Sequence, residues 1–292
     1  MKILLFGSTG LLGSVLARKL QDDYDLIAVH SLDCNLCDSE SLRTIISEVS
    51  PDFIINAAGY TLVDRAEEEH EKSWAVNAAA PGVMARAAAR RGIPLLHYST
   101  DYVFDGHNDR AYHERDKPNP INFYGKSKLE GERRIREETD IFLILRTSWL
   151  YSHSRLCFVT RVIELAREQS VLRMTTDQIG SPTWVDALAD VSTDLIRRSR
   201  LDPAGWMQDH AGLYHLAGEG QASRYEWAQA ILSCCQLNAD GEVPQLLPAL
   251  ASDFPSLAVR PANSALDSRH FAKTFGTALP AWEESLKKSL QP

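Results

Sequence analysis

The feature that most constrains this chain is where its first glycines fall. Lys2–Phe6 reads as a short buried strand, Gly7-Ser-Thr-Gly10-Leu-Leu-Gly13 follows at once, and Leu11–Leu20 runs on as a helix. Glycines at such a turn let the backbone bend tightly, and the free amides at the helix start can meet a pyrophosphate. The spacing is G-x-x-G-x-x-G rather than the usual G-x-G-x-x-G. Glycines that only turn a chain are the alternative. Their place between a strand and a helix favours dinucleotide binding.

The rest of the first half repeats that rhythm. Strands are expected at Leu26–Val29, Phe53–Asn56, Pro94–Tyr98 and Ile141–Arg146. Helices are expected at Ser39–Val49 (with Ser39 as its cap), over about 70–91, and at Tyr124–Glu138. Strict alternation of this kind implies a parallel sheet covered on both faces, a Rossmann-type doubly wound α/β fold. The runs ILLF, FIIN, LLHY and FLILR lack alternating polarity, as strands buried on both sides should.

After residue 150 the rhythm loosens. Helices are read at Phe158–Glu168, Ala187–Arg198, Tyr225–Cys234 and Ala281–Leu290, with a Pro-containing loop at 177–183 and an extended piece at Gly212–Ala217. The expected organisation is a dinucleotide-binding domain over 1–150, to which segments near 177–200 return. Residues 151–292 then form mostly a smaller, interleaved α/β substrate-binding domain.

Composition excludes some functions. A net charge of −8 disfavours nucleic acid, whose affinity rests on neutralising phosphates. Residues 1–20 carry no basic leader, and the apolar run Ile3–Phe6 is too short for a membrane span, so a cytoplasmic protein is expected. Of five cysteines, Cys34-x-x-Cys37 has metal or redox spacing, but no second pair matches it. Structural thiols and no metal site are therefore expected. The acids Glu67–Glu69 read as a solvated helix face. Oligomeric state is left open, a homodimer among the options.

The chemistry gathers in two places. Tyr124-Gly-Lys-Ser-Lys128 opens a helix, and residues four apart share a face, so phenol and ammonium can enter one cleft. A neighbouring ammonium lowers a phenol's pKa, which would ready Tyr124 to donate a proton to an oxygen turning negative as hydride reaches its carbon. Lys128 can also hold a nicotinamide ribose. The end of the fourth strand, Ser99-Thr100-Asp101, offers a hydroxyl for the developing alkoxide; Ser99 and Thr100 both qualify. The second strand ends in Val29-His30-Ser31, without the acid that would receive an adenosine 2′-hydroxyl. This leans towards NADP over NAD, weakly, because Asp33 is close by.

These motifs together resemble the extended short-chain dehydrogenase/reductases and, among them, the dTDP-4-dehydrorhamnose reductase family. The similarity runs over nearly the whole chain: GSTGLLG (7–13), INAAGYTLVDRAE (55–67), HYSTDYVFDG (97–106), YGKSK (124–128), LRTSWLY (145–151), DQIGSPT (177–183), GLYHLAG (212–218) and RPANSALDS (260–268). The resemblance implies NAD(P)H-dependent reduction of the C4 ketone of dTDP-4-dehydro-L-rhamnose to dTDP-L-rhamnose. It implies a catalytic triad of Thr100, Tyr124 and Lys128, and substrate contacts from Thr100, Asp101, Tyr102 and Trp149. It further implies a cofactor lined by Gly10, Leu11, Leu12, Gly59, Tyr60, Thr61 and Tyr98, with adenine near Asn35 and Leu36. The family usually has an Asp near Asn35. Sugar-nucleotide dehydratases of this fold carry Thr-Asp-Glu where this chain has Thr100-Asp101-Tyr102, so reduction fits and dehydration does not. Two alternatives accompany this reading. One is a reductase of another 4-keto-6-deoxy sugar nucleotide; the other is a non-catalytic nucleotide-binding subunit of the same fold.

Overall fold

In the computed structural model, which describes residues 1–235 and 243–291, the alternation becomes a parallel sheet. Its strands are β1 (Lys2–Phe6), β2 (Asp25–Val29), β3 (Phe53–Asn56), β4 (Leu95–Thr100), β5 (Phe142–Thr147) and β6 (Gly212–His215). The helices packed on it are α1 (Leu11–Leu20), α2 (Ser39–Val49), α3 (Ala80–Arg91), α4 (Phe123–Glu138) and α5 (Val185–Ser199). The strand order is β6-β5-β4-β3-β1-β2. The order reverses at β1, with β2 on one side and β3 on the other, so a crevice opens beyond their carboxyl ends.

Each sheet face buries its own apolar layer. Leu12, Leu16 and Leu20 of α1 join Leu188 and Leu195 of α5 against Ile3, Leu5 and Ile55. On the opposite face Leu42 and Ile46 of α2, Met84 of α3 and Ile135 of α4 cover Leu4, Phe6 and Ile54. A third apolar cluster, centred on buried Trp227, joins the helices Phe158–Glu168, Arg224–Cys234 and Trp282–Ser289. Beside it Val171–Thr175 pairs with Gln245–Ala249 in parallel.

Three local details depart from the sequence expectations. The cap of α2 is Asp38, whose carboxylate accepts from the Glu40 amide at 2.9 Å, while Ser39 is already helical. A carboxylate is a stronger acceptor for a helix amide than a hydroxyl. Gly212–His215, grouped by sequence with the substrate side, is the sixth strand of the main sheet and pairs with β5. The Ala-rich stretch 70–91 is not one regular helix: Ala75–Ala79 forms a π-turn before α3. Pro81 has no N–H to offer the Asn77 carbonyl four residues back, which favours a wider turn there.

All five cysteines are unpaired. Among the described residues, no helix is long and apolar enough to cross a membrane.

Candidate active site

The crevice beyond β1 and β3 is a cavity of about 670 Å³. At one end are Gly7, Gly10, Leu11 and Leu12 of the first turn, with His30, Asn35 and Leu36 beyond β2. Gly59, Tyr60 and Thr61 line its middle, beside Tyr98. Thr100, Asp101, Tyr102, Tyr124, Lys128 and Trp149 close the far end. Of the residues the sequence assigns to a cofactor, only Gly13 is not on the wall. A Cβ at Gly13 would stand 2.0 Å from the Gly7 carbonyl oxygen, so this glycine lets α1 pack close to the turn. It shapes the cradle without touching what lies in it.

The helix carrying Tyr124 and Lys128 is held at its start from two sides. The Asn122 side chain accepts from the Gly125 amide at 2.8 Å and donates to the Val259 carbonyl at 2.9 Å. The Glu67 carboxylate accepts from the Phe123 amide at 2.7 Å. Glu67 is therefore engaged at a helix start rather than on a purely solvated face. Asn77, in the π-turn, accepts from the Tyr60 amide at 2.9 Å and donates to the Tyr60 carbonyl and the Ser127 hydroxyl, each at 3.0 Å. The irregular turn thus ties the Gly59–Thr61 loop to α4.

At the far end the electrostatics differ from the sequence expectation in one respect. Lys128 donates to the Tyr98 carbonyl at 2.6 Å and lies 3.4 Å from Nε2 of His97. Burial pushes the Lys128 ammonium down to about 8, opposed by the Glu132 carboxylate. The Tyr124 phenol is pushed up, not down: burial dominates, the Thr100 hydrogen bond opposes it, and Asp101 adds to the rise. At neutral pH Tyr124 therefore keeps its proton and has one to give. The two candidate hydroxyls have different partners. Ser99 donates to Glu132, whereas Thr100 faces Tyr124 and donates to Asp101 at 3.1 Å.

Asp101 is buried and accepts from Thr100, from Ser148 at 3.0 Å and from Ser264 at 2.5 Å. Burial raises its carboxyl, and the three hydroxyls hold it down. Ser148 and Ser264 lie inside LRTSWLY and RPANSALDS, so the motifs were visible although their contacts were not. Other wall residues beyond the sequence assignment include Lys72, Thr147 and Arg224. Asp101 supplies the only wall carboxylate among the described residues. Asp33 instead accepts from the His30 amide at 3.0 Å.

Trp149 adopts a left-handed backbone (φ 44°), uncommon for a bulky residue and often stored at functional positions. Its indole lies against Gly180, where a Cβ would come within 2.2 Å of Cε2. Gly180→Ala is therefore expected to displace the indole. The overpacking should cost about 1–3 kcal/mol of stability. A thermal unfolding curve that matches the parent's would show that the ring moves aside freely.

With this geometry in place, the family model described as the RmlD substrate binding domain matches residues 1–292. The chain belongs to that family. It is 37% identical over 301 residues to the dTDP-4-dehydrorhamnose reductase of Escherichia coli K12, covering 99% of this chain and 97% of that one. Among solved structures, the dTDP-4-dehydrorhamnose reductase of Clostridium acetobutylicum superposes with a TM-score of 0.90 at 31% identity, covering 99% and 98% of the two chains. The Bacillus anthracis dTDP-4-dehydrorhamnose reductase, solved in complex with NADP, gives a TM-score of 0.88 at 32% identity over 98% and 97%. Family membership makes the chain an oxidoreductase of the extended short-chain type.

Proposed function

We propose that this chain reduces the C4 ketone of dTDP-4-dehydro-L-rhamnose to dTDP-L-rhamnose with NADPH, and that Tyr124 donates the proton. The observation that carries the reading is one cavity with the glycine turn at one end and a neutral, proton-bearing Tyr124 at the other. The first turn and the Gly59–Thr61 loop suit a dinucleotide, since glycines (Gly7, Gly10 and Gly59) and apolar side chains such as Leu12 and Leu36 line one cleft. The nicotinamide, when bound, supplies the hydride.

The chain's residues do the rest. Tyr124 gives its hydroxyl proton to the carbonyl oxygen as that oxygen gains charge, and Thr100 orients the phenol and bonds the same oxygen. Lys128, anchored on the Tyr98 carbonyl, contributes positive charge beside the site and a donor for the ribose. Asp101 holds sugar hydroxyls, and Tyr102 and Trp149 flank the ring. Tyr102 lies edge-on to Tyr124 at 5.8 Å, occupying the position where a dehydratase would carry a second acid. The end of β2 presents His30 and Ser31 to the cavity and no carboxylate, which suits a 2′-phosphate.

The test is oxidation of NADPH and NADH against a panel of 4-keto sugar nucleotides. Turnover is expected only once the 3,5-epimerised dTDP sugar is supplied, with kcat/KM about tenfold or more higher for NADPH. Turnover on a different 4-keto-6-deoxy sugar nucleotide alone would transfer the reading to that substrate. No oxidation with any sugar, together with stoichiometric capture of another enzyme, would favour a non-catalytic subunit.

A further inference from the structure

Between the sheet and α4, polar side chains face one another in pairs. β3 and β4 align so that Asn56 stands opposite His97, and strand alternation puts Ser99 on the same face as His97. On α4, Lys128 meets His97, and Glu132, one turn on, meets Ser99. Asn56, His97 and Lys128 are all buried. Lys128 reaches the cavity wall, whereas Asn56 and His97 lie behind it and touch nothing that the cavity holds.

The hydrogen bonds fix where the His97 proton sits. The Ala58 amide can only donate, and it donates to the Asn56 side-chain oxygen at 3.1 Å. Asn56 therefore turns its NH2 group to Nδ1 of His97, 3.0 Å away, and Nδ1 must be the bare, accepting nitrogen. Burial and the neighbouring Lys128 hold the ring well below the ordinary histidine value, so it is neutral and its one proton is on Nε2. That N–H faces Nζ of Lys128 at 3.4 Å. An ammonium meets such a partner with protons only, whereas a neutral amine has a lone pair to receive it. The Tyr98 carbonyl, a true acceptor, is much closer to Nζ, at 2.6 Å.

We propose that His97 is a positioning residue for the reduction: locked by Asn56 with its proton on Nε2, it donates to Lys128 and favours the neutral amine over the ammonium. The assignment rests on the reading that Lys128 serves ketone reduction. Its consequence is a positive charge beside Tyr124 that is lost as pH rises through about 8. The other groups around Lys128 leave the ring its influence. On α4, Glu132 favours the ammonium but is shared with Arg146 and Ser99, and the Tyr124 phenol is uncharged. Beyond β4, Asp101 is turned to three hydroxyls. β3 offers Asn56, which carries no charge. In the loop after it the Tyr60 phenol is raised by burial, and the wall cation Lys72 pairs with Glu69 at 3.3 Å.

The experiment is a pH titration of the full-length protein, with isotope-labelled histidine followed by proton–nitrogen NMR, beside the pH profile of kcat/KM for NADPH. The His97 signals are those missing from His97→Gln. They are expected to show the neutral ring protonated on Nε2, with the Nε2 signal moving near pH 8 as Lys128 titrates. Lys128→Met should abolish that movement and keep the tautomer. A His97 ring protonated on Nδ1 overturns the proposal. In Asn56→Asp, the carboxylate can accept from both Ala58 and Nδ1–H, which reverses the ring and makes Nε2 an acceptor for the ammonium. The alkaline limb of the profile should then move up by about one pH unit. The same displacement in Asn56→Asp combined with His97→Leu would come from the added charge alone and overturns the proposal. Where Asn56→Asp does not fold, His97→Gln decides. It can turn a carbonyl oxygen to Lys128, so its limb should also move up, and an unmoved limb overturns the proposal. The NMR signals need no ketone reduction. A protein that shows the tautomer and its movement but reduces nothing would refute the proposed reaction and leave the contact of His97 with Lys128 standing.

Discussion

Tyr124→Phe is expected to bind NADPH with unchanged affinity and to lose turnover by roughly three powers of ten, within the range of a missing general acid. The substitution keeps the ring, its edge-on contact with Tyr102 and its packing on the cavity wall, and removes only the hydroxyl. Burial raises the Tyr124 phenol above its ordinary value, so the group is protonated throughout the neutral range. Its deletion therefore removes a proton source rather than a negative charge. Thr100 remains and can still hydrogen-bond the carbonyl, which accounts for residual activity. Single-turnover oxidation of NADPH, with substrate in excess, isolates the step. A rate within tenfold of the parent would remove Tyr124 from the chemistry and leave the cavity as a binding site.

Much of this site could be read from sequence because its signals are local. The strand Lys2–Phe6, the turn Gly7–Gly13 and the helix Leu11–Leu20 are contiguous, and so are Tyr124 and Lys128 on one helical face. The parallel sheet follows from the same local alternation. What the sequence did not disclose depends on partners far along the chain. Ser264 reaches Asp101 across 163 positions, and β6 meets β5 across nearly seventy. Gly212–His215 is too short, and too distant from the first five strands, for its polarity to announce a sheet position. The direction of the Tyr124 shift was missed for a related reason. The pair Tyr124–Lys128 suggests a charge effect, but the Tyr98 carbonyl holds the ammonium and burial outweighs it.

On the helix that carries Tyr124 and Lys128, Glu132→Ala should cost roughly 3–5 kcal/mol of stability, as expected when one member of a buried ion pair is removed. Glu132 accepts two hydrogen bonds from Arg146, at 2.8 and 2.6 Å, and a third from Ser99. Both charged side chains are only 3% exposed, so water cannot replace the missing carboxylate. Nor can the remaining neighbours. His215, 3.5 Å from Arg146, is held neutral, pushed down to about 3 by burial and by the same guanidinium. Phe104 offers Arg146 only a ring, at 5.1 Å. The pair also joins α4 to β5, so its loss loosens the element that carries Tyr124 and Lys128. Thermal unfolding should show a fall in Tm on the order of 10 °C. Glu132→Leu combined with Arg146→Met should recover much of that loss, because it removes the stranded charge along with its partner. A Tm for Glu132→Ala within about 2 °C of the parent would mean that the ion pair does not hold the catalytic helix in place.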